Sequence, residues 1–349
     1  MKKKYIFSEV VNLTLKEIMK SNSKTVLFGL GVDDPKGIFG TTKDLKEVYG
    51  NERVFDMPAS ENAMTGEAIG MSLNKMIPIM NHQRMDFFLL AMDQLINNAA
   101  KWKYMFGGQQ KTPIIIRLII GRGWGQGPTH SQNFQNMFAN VPGLKIYIPS
   151  FPSTVRNILH AAVKSSDPVL IIEHRWLHYM SEKIDFKIKP KKVDFIKKIK
   201  NGKDLTIVSS SYSTFEILKL YDVLKKNNIS VDHLDINLLK PFNIDLLYNS
   251  VKKTGKLLIL DNSVHKYCSF GGHLISELVL RKKNIFKKEP INLNLPDIPS
   301  PTSHYLSKYF YNNLEDICKK IGNLFNKKIK LPKNPHKHDT PDPEFRGPF

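Results

Sequence analysis

The chain alternates short, continuously apolar segments with segments of helical periodicity. In the first half the apolar segments predict strands at 25–30, 76–81, 112–120, 144–150 and 168–173. Helical periodicity predicts helices between them, at 61–74, 87–105 and 153–165. An uninterrupted apolar run is typical of a strand buried on both faces of a parallel sheet. Strands alternating with helices therefore predict a doubly wound α/β sheet.

A second alternating block follows in the other half of the chain. Its predicted strands lie at 204–211, 229–237 and 256–262, and its predicted helices at 213–226, 243–252 and 271–281. A charged, weakly periodic segment separates the blocks, and a proline-rich tail ends the chain. We therefore predict two α/β domains at 1–185 and 204–329, joined by a linker at 186–203 and followed by an extended tail at 330–349.

Composition fits this organisation. A chain of 349 residues with 41% hydrophobic residues suits two domains with their own cores. No apolar run reaches the roughly 18 residues of a membrane span, and the basic start lacks the apolar region of a signal peptide. Cys268 and Cys318 are isolated, so neither a disulfide framework nor a cysteine metal site is expected. We expect a cytoplasmic protein without membrane contact.

The formal net charge of +20 raises the question of a nucleic-acid partner. Lysines are spread along the chain, and no zinc finger, RNA-binding signature or long basic block accompanies them. Lysines on solvated faces explain the charge without nucleic acid. If the positive charge serves binding, an acidic protein is the expected partner. The tail histidines His336 and His338 have no second ligand pair that would make a metal site.

Three segments carry candidate chemistry. Glu61 opens a helix of small residues after Ser60, a natural N-cap, so the carboxylate serves either the helix start or a ligand. The glycine-rich segment 121–132 follows a strand and predicts a loop whose backbone approaches a partner closely, although it matches no known nucleotide-binding pattern. His130 within it is either a proton donor and acceptor near neutral pH or a structural residue.

The third segment, 81–109, passes from strand to helix. Arg84 and Asp86 lie at that transition, where open α/β sheets commonly bind ligands. Apolar residues at helical spacing, Phe88 among them, are expected in the core. The chain lacks the Gly-Asp-Gly motif by which many thiamine-diphosphate enzymes hold the diphosphate through a metal ion.

These segments together resemble the beta subunit of the first component of 2-oxoacid dehydrogenases, in the transketolase-like superfamily. The resemblance covers roughly residues 5–325 and is carried by motifs in a fixed order: DMPASENAMTGEAIGMSL, AMDQLINNAAKWKYMFGGQ, the glycine-rich loop ending in HSQ, VPGLKIYIPS, DPVLIIE, LDINLLKPFNID, SVKKTGKLLILD and LPDIPSPTS. It implies a pyrimidine-binding domain of the transketolase type, followed by a domain like the transketolase C-terminal domain.

The resemblance implies roles for four side chains. Glu61 matches the glutamate that contacts the N1′ nitrogen of the aminopyrimidine of thiamine diphosphate and shares a proton with it. Phe87 matches an aromatic residue beside that ring. Gln83 is expected to bind the cofactor as well. His130 matches a histidine that faces the 2-oxo acid. Glu61 and His130 are thus the expected catalytic residues.

The resemblance also implies partners and ions. An alpha-type chain is expected to supply the diphosphate and magnesium site in a heterotetramer of two alpha and two beta chains. The second domain is expected in the contact between beta chains and in docking an acyltransferase core. Main-chain carbonyls match a structural potassium site, at Ile114, Ala162, Ser165 and Asp167.

Departures from the family pattern leave the substrate open. Arg84 stands where relatives commonly have an uncharged residue, Asn262 replaces a common acidic residue, and Trp124 and the pair Arg175-Trp176 are atypical of pyruvate dehydrogenases. One alternative is a two-subunit thiamine-diphosphate carboligase or decarboxylase of a specialised biosynthetic pathway. Another, of a different class, is a non-catalytic binding protein that uses the positive charge.

Overall fold

The computed structural model describes residues 3–122, 125–267 and 269–331. The described chain forms two compact units: the first contains residues 3–120 and 137–193, and the second residues 121–136 and 194–331. The predictions that concern Trp124, Cys268, His336, His338 and the tail beyond 331 lie outside the described residues.

The strands, in chain order, are β1 (Lys3–Ile6), β2 (Thr25–Gly29), β3 (Val54–Asp56), β4 (Ile77–His82), β5 (Ile115–Ile120), β6 (Lys145–Tyr147), β7 (Val169–His174), β8 (Ser181–Ile184), β9 (Ile196–Lys200), β10 (Leu205–Ser209), β11 (Val231–Ile236), β12 (Leu238–Lys240), β13 (Leu257–His265) and β14 (Ile291–Leu295). The α-helices are α1 (Phe7–Ser21), α2 (Gly37–Gly40), α3 (Leu45–Tyr49), α4 (Glu61–Leu73), α5 (Met85–Phe88), α6 (Ala100–Met105), α7 (Gln135–Ala139), α8 (Pro152–Ala162), α9 (Tyr212–Leu218), α10 (Tyr221–Lys226), α11 (Asp245–Thr254), α12 (Phe270–Arg281), α13 (His304–Phe310) and α14 (Leu314–Phe325).

The first unit is built on parallel strands in the order β6-β7-β5-β4-β2-β3. All six residues of β5 and all six of β7 are buried, as the uninterrupted apolar pattern predicts for central strands. A separate antiparallel pair joins β1 to β8. Because the six strands run in one direction, their carboxyl ends share one edge of the sheet.

The second unit carries strands in the order β14-β13-β10-β11-β9, in which β9 is antiparallel to β11 and the other pairs are parallel. Helices α9, α10 and α14 cover the sheet with a core that includes Leu205, Ile217 and Ile321. Strand β9 lies inside the segment 186–203, so this charged segment is partly sheet. The domain limits themselves stay a prediction.

Two doubly wound α/β units confirm the predicted architecture. The predicted helix 87–105 is interrupted: α5 leads into a 3-10 turn at Leu89–Ala91, a π-helical turn at Gln94–Ala99, and then α6. The sequence analysis did not predict the strands β1, β3, β8, β9, β12 and β14 or the helices α1, α2, α3, α7, α13 and α14. Strand β3 has only three residues, and the polar positions of INLNL in β14 give no continuous apolar run. No helix in the described ranges is long and apolar enough to cross a membrane.

Two histidines are buried in the sheets. His82 ends β4, and among the described residues neither of its ring nitrogens has a hydrogen-bond partner. His233 in β11 pairs Nε2 with Ser209 Oγ (2.7 Å) and Nδ1 with the Tyr221 hydroxyl (2.6 Å). Burial lowers the pKa of each imidazole to about 3, with Lys200 contributing at His233, so both are neutral at pH 7.

We expect acid to destabilise the fold through these histidines. Below pH 6.5 the unfolded chain binds a proton at His82 that the folded chain does not bind until about pH 3, so stability falls as pH falls through this window. The change His82→Phe should reduce the pH slope of the unfolding free energy by up to about 1.4 kcal/mol per pH unit. Urea unfolding between pH 7 and pH 4 measures this slope. An unchanged slope in the variant contradicts the assignment.

Candidate active site

Glu61 is the first residue of α4, shortly after β3 reaches the carboxyl edge of the sheet. Its side chain is 6% exposed. Ser60 occupies the N-cap position, but its side chain makes no capping hydrogen bond, contrary to expectation. The helix is tied instead through Thr65, whose hydroxyl donates to the Glu61 main-chain carbonyl (2.8 Å).

The Glu61 carboxylate itself has no hydrogen bond or ion pair with any residue of the described ranges. The residue is largely enclosed, and its place in the first turn of a helix favours a negative charge. A side chain that is enclosed and has no partner within the chain is available to a bound group. The simple role of a helix start does not require burial, so the geometry favours a carboxylate that meets a ligand.

Gln83 and Phe87 follow β4 at the same edge. A Cβ atom on Gly31 would lie 2.1 Å from Gln83 Nε2, so the amide rests directly on the glycine backbone. Phe87 is 39% exposed, whereas Phe88 is buried against His82 and Phe138 at ring distances of 4.9 and 5.9 Å. The structure thus puts Phe88 in the core, as predicted, and leaves Phe87 available to a ligand.

Arg84 lies between these two residues as the N-cap of α5. Its Nη1 donates to the Gln83 carbonyl (2.7 Å). Burial lowers the pKa of its guanidinium and the Asp86 carboxylate offsets part of that shift. An arginine stays charged after such a change, so this edge carries a positive charge.

A buried ionic network underlies the edge. Arg117 in β5 donates from Nε and Nη2 to the two carboxylate oxygens of Glu173 in β7, at 2.7 and 2.9 Å. His178 lies 3.1 Å from the same carboxylate. Burial alone would raise the pKa of Glu173, but Arg117 and His178 lower it to about 2. The pair is therefore ionised throughout the neutral range.

The same guanidinium extends to a third strand and a loop. Its Nη1 donates to Asn81 Oδ1 in β4 (3.1 Å) and to Thr41 Oγ1 (3.3 Å). Asn12 in α1 holds this loop as well, through the carbonyls of Thr41 and Lys43. Sequence analysis missed this network. The sequence contains one indication of this network, the charged Arg117 inside the apolar run IIRLII. A charged residue in a buried strand requires a buried partner.

The segment 173–178 is interior. Arg175 and Trp176 are each 1% exposed, in a 3-10 turn that follows β7. The segment is therefore part of the interior of the unit and not of its exposed surface.

His130 belongs by its contacts to the second unit, whereas Glu61, Gln83 and Phe87 belong to the first. It follows a 3-10 turn at Gly127–Thr129 and is half-buried. Its Nδ1 lies 2.9 Å from the Thr129 hydroxyl.

The predicted potassium carbonyls lie where β5 begins and where the chain passes from α8 to β7. Three of these oxygens accept one hydrogen bond each: Ile114 from Val169 N, Ala162 from Ser165 N, and Asp167 from Ser165 Oγ, each at 2.9 Å. A carbonyl oxygen has a second lone pair, and oxygen donors suit a hard cation, so the residues fit the ion in kind. In the described part of the chain, no cluster of His, Cys, Asp and Glu side chains is arranged to hold a metal.

Two lysines border this site. Lys103 Nζ lies 2.7 Å and Lys145 Nζ 3.1 Å from the Asp167 carboxylate. Burial raises the pKa of this carboxyl group, but the two ammonium groups outweigh burial and the pKa is lowered.

Two protein-family models match the chain. The transketolase pyrimidine-binding domain matches residues 3–179, and the transketolase C-terminal domain matches residues 195–317.

Similar curated proteins cover nearly the whole chain. The pyruvate dehydrogenase E1 component subunit beta of Porphyra purpurea is 32% identical over 93% of this chain and 98% of its own length. The 2-oxoisovalerate dehydrogenase subunit beta of Bacillus subtilis is 31% identical over 89% and 95%. The acetoin:2,6-dichlorophenolindophenol oxidoreductase subunit beta of Cupriavidus necator is 31% identical over 84% and 87%.

A solved structure has the same fold. A split-gene transketolase, described as an inactive beta4 tetramer, superposes with a TM-score of 0.74 and covers 92% of this chain and 99% of its own. At 20% identity this likeness concerns the fold alone.

We expect the removal of one partner of the Arg117–Glu173 pair to destabilise the fold strongly. Arg117→Met leaves Glu173 charged and buried, and removing one partner of a buried pair costs roughly 3–5 kcal/mol. The control Lys46→Met removes an exposed ion pair with Asp33 and should cost less than about 1 kcal/mol. Urea unfolding at pH 7 compares the two. Equal losses in both variants would contradict the role of the network.

Proposed function

This chain belongs to the beta-subunit family of the first component of thiamine-diphosphate-dependent 2-oxoacid dehydrogenases, and from this membership we propose that it completes the active site of such an enzyme together with an alpha-type chain. The observation that carries the proposal is the Glu61 carboxylate, buried at the carboxyl edge of a parallel sheet without a partner in the described chain. The aminopyrimidine of thiamine diphosphate is the ligand expected from the family at this position.

When bound, thiamine diphosphate would supply a nucleophilic thiazolium carbon for the 2-oxo acid and a cationic ring that accepts the electrons released by decarboxylation. Glu61 holds a proton at the N1′ nitrogen of the aminopyrimidine. Phe87 offers an aromatic face to the pyrimidine, and Gln83, resting on Gly31, limits the space beside it.

His130 serves the substrate side of the reaction. An imidazole exchanges protons near neutral pH and is suited to the carboxylate or carbonyl oxygen of a 2-oxo acid. In this proposal Arg84 adds a positive charge beside the residues that meet the cofactor. Such a charge favours a substrate or acceptor with an additional acidic group.

The alpha-type partner supplies the diphosphate and magnesium site, because this chain has no Gly-Asp-Gly motif. We propose a heterotetramer of two alpha and two beta chains, with the second domain in the contact between beta chains. The net charge of +20 fits an acidic docking region, for example on an acyltransferase core. Cys318 is buried as a free thiol, which suits a reducing cytoplasm.

We expect Glu61→Gln to abolish cofactor binding or weaken it at least about 10-fold, because removal of a charge-assisted hydrogen bond in a buried site costs ~1.5–3 kcal/mol. The measurement is calorimetric titration of thiamine diphosphate with magnesium into the chain co-purified with its alpha-type partner. The matched control Glu67→Gln changes an exposed carboxylate on the same helix and should leave the affinity unchanged.

The lone chain should bind the cofactor far more weakly than the co-purified pair. Tight binding by the lone chain would contradict the division of the site between two chains. Wild-type affinity in Glu61→Gln would contradict the role of Glu61. Absence of binding by the wild-type pair would favour a non-catalytic binding protein.

We also propose that a potassium ion binds the carbonyls of Ile114, Ala162, Ser165 and Asp167. Replacing tetramethylammonium by potassium at constant ionic strength should then raise the melting temperature in a saturable way, because a ligand that binds the folded state stabilises it. Sodium at the same concentration should raise it less. Equal melting curves in all three salts would contradict a potassium site.

A further inference from the structure

Arg122 begins the glycine-rich loop directly after β5 and is unusually well enclosed for an arginine in a loop. Its side chain is buried, with the residue 6% exposed. Its Nη2 donates to Glu216 Oε1 at 2.9 Å, and the guanidinium carbon lies 4.2 Å from the centre of the Tyr311 ring. The carboxylate thus holds the edge of the guanidinium while the aromatic ring covers its face.

Both partners are themselves fixed. Glu216 lies in α9 and is buried. Tyr311 follows α13, is 3% exposed, and packs edge-on against Phe310 at a ring distance of 4.8 Å in a small core with Leu295. Because Glu216 and Tyr311 are buried in the second unit, their contacts with the Arg122 guanidinium hold the start of the loop in place.

The loop is seated at a second point further along. Gly127 has φ +61°, and a Cβ atom there would lie 2.3 Å from Thr302 Oγ1. Gly125 has φ +67° and approaches the Thr302 carbonyl. Glycine is required at both positions, for the left-handed backbone and for the close approach at Gly127. The glycines thus let the segment rest on Thr302 rather than make it freely flexible.

Arg122 is unsuited to binding substrate directly. Its charge is paired with Glu216, and a substrate carboxylate would have to displace that side chain from a buried site. The contacts therefore favour a positioning residue over a catalytic one.

We propose that Arg122, clamped by Glu216 and Tyr311, fixes the root of the glycine-rich loop and thereby sets the position from which His130 acts on the 2-oxo acid. The inference rests on the proposed function for the role of His130. The clamp itself is independent of that function and is testable without a substrate.

The first experiment uses trypsin, which must take an arginine side chain into its own pocket to cleave. In the wild-type full-length chain the bond after Arg122 should resist cleavage, because the guanidinium is clamped. Glu216→Gln and Tyr311→Leu keep Arg122 but release it, and cleavage at this bond should rise at least about tenfold through local opening. Mass spectrometry of the fragments gives the rate at this bond.

The control Arg281→Gln removes an exposed arginine pair with Asp245 in the same unit and should not change cleavage after Arg122. Circular dichroism and thermal melting verify that each variant is folded. If folded Glu216→Gln and Tyr311→Leu both show the wild-type rate at this bond, the clamp does not exist.

The second experiment uses the assembled enzyme with pyruvate and 2-oxoisovalerate as substrates and dichlorophenolindophenol as electron acceptor. Glu216→Gln should lower kcat by about 10- to 100-fold, because small misplacements of a catalytic group cost that much. The dissociation constant of thiamine diphosphate should stay within about twofold of wild type. Arg122→Lys, which keeps the charge, should retain more activity than Arg122→Gln.

A double variant decides whether the clamp acts through His130. In the His130→Ala background, Glu216→Gln should cause little further loss of kcat, because the group it positions is already absent. Multiplied losses, or a loss of cofactor affinity that parallels kcat, would overturn the proposal. An inactive wild-type enzyme that fails to bind the cofactor would refute the proposed function, whereas the trypsin experiment would still decide the clamp.

Discussion

The candidate active site of the first unit depends on one interaction, the bidentate pair between Arg117 and Glu173. It joins two central strands that carry almost no other charge, and through Asn81 and Thr41 it reaches a third strand and the loop before α3. Two ions buried side by side repay their desolvation only when the geometry is good and the remaining polar atoms are bonded. The pair therefore gains little net stability over an apolar packing, and what it specifies is the relative position of the strand ends. That constraint matters because Gln83, Arg84 and Phe87 all leave the sheet from β4, the strand that Asn81 ties to Arg117.

Glu61 differs from Glu173 in its hydrogen bonding. Both carboxylates are buried, but Glu173 is surrounded by donors and has its pKa lowered to about 2, whereas Glu61 has none among the described residues. A protein that stabilises one buried carboxylate so completely and leaves another without a partner a few strands away has different uses for the two. The first holds the scaffold, and the second is the carboxylate proposed to meet the cofactor. The contrast supports a functional role for Glu61 more strongly than its place at the start of a helix does.

Much of the fold could be predicted from the sequence because its determinants are local. Apolar runs and helical periodicity located the central strands and most helices, including β5, β7 and α4. The failures have physical causes. Strand β9 was hidden by its lysines, which suit an edge strand exposed on one side. The Ser60 side chain does not cap its helix, although its residue type favours capping. At the site, residue type and order identified Glu61, Gln83, Phe87 and His130 as candidates, but not the burial of Glu61 or the partners of Arg117. Those depend on which strands become neighbours, a property of the whole sheet that a single segment does not encode.

The distribution of these residues between the two units has a consequence for how the enzyme acquires its substrate preference. The residues proposed to meet the cofactor are held by the first unit, through the Arg117 network and the start of α4. The loop that carries His130 is held by the second unit, through Glu216, Tyr311 and Thr302. The two sets of proposed site residues thus rest on separate units, and residues that share no partners respond to substitution nearly independently. Under the proposed function, changes in α9 or around Tyr311 would alter the support of the His130 loop and leave the contacts of Gln83 and Phe87 unchanged. By the resemblance, the atypical residue of the loop GRGWGQG is Trp124, in a chain whose Glu61 and Phe87 match the family's glutamate and aromatic residue.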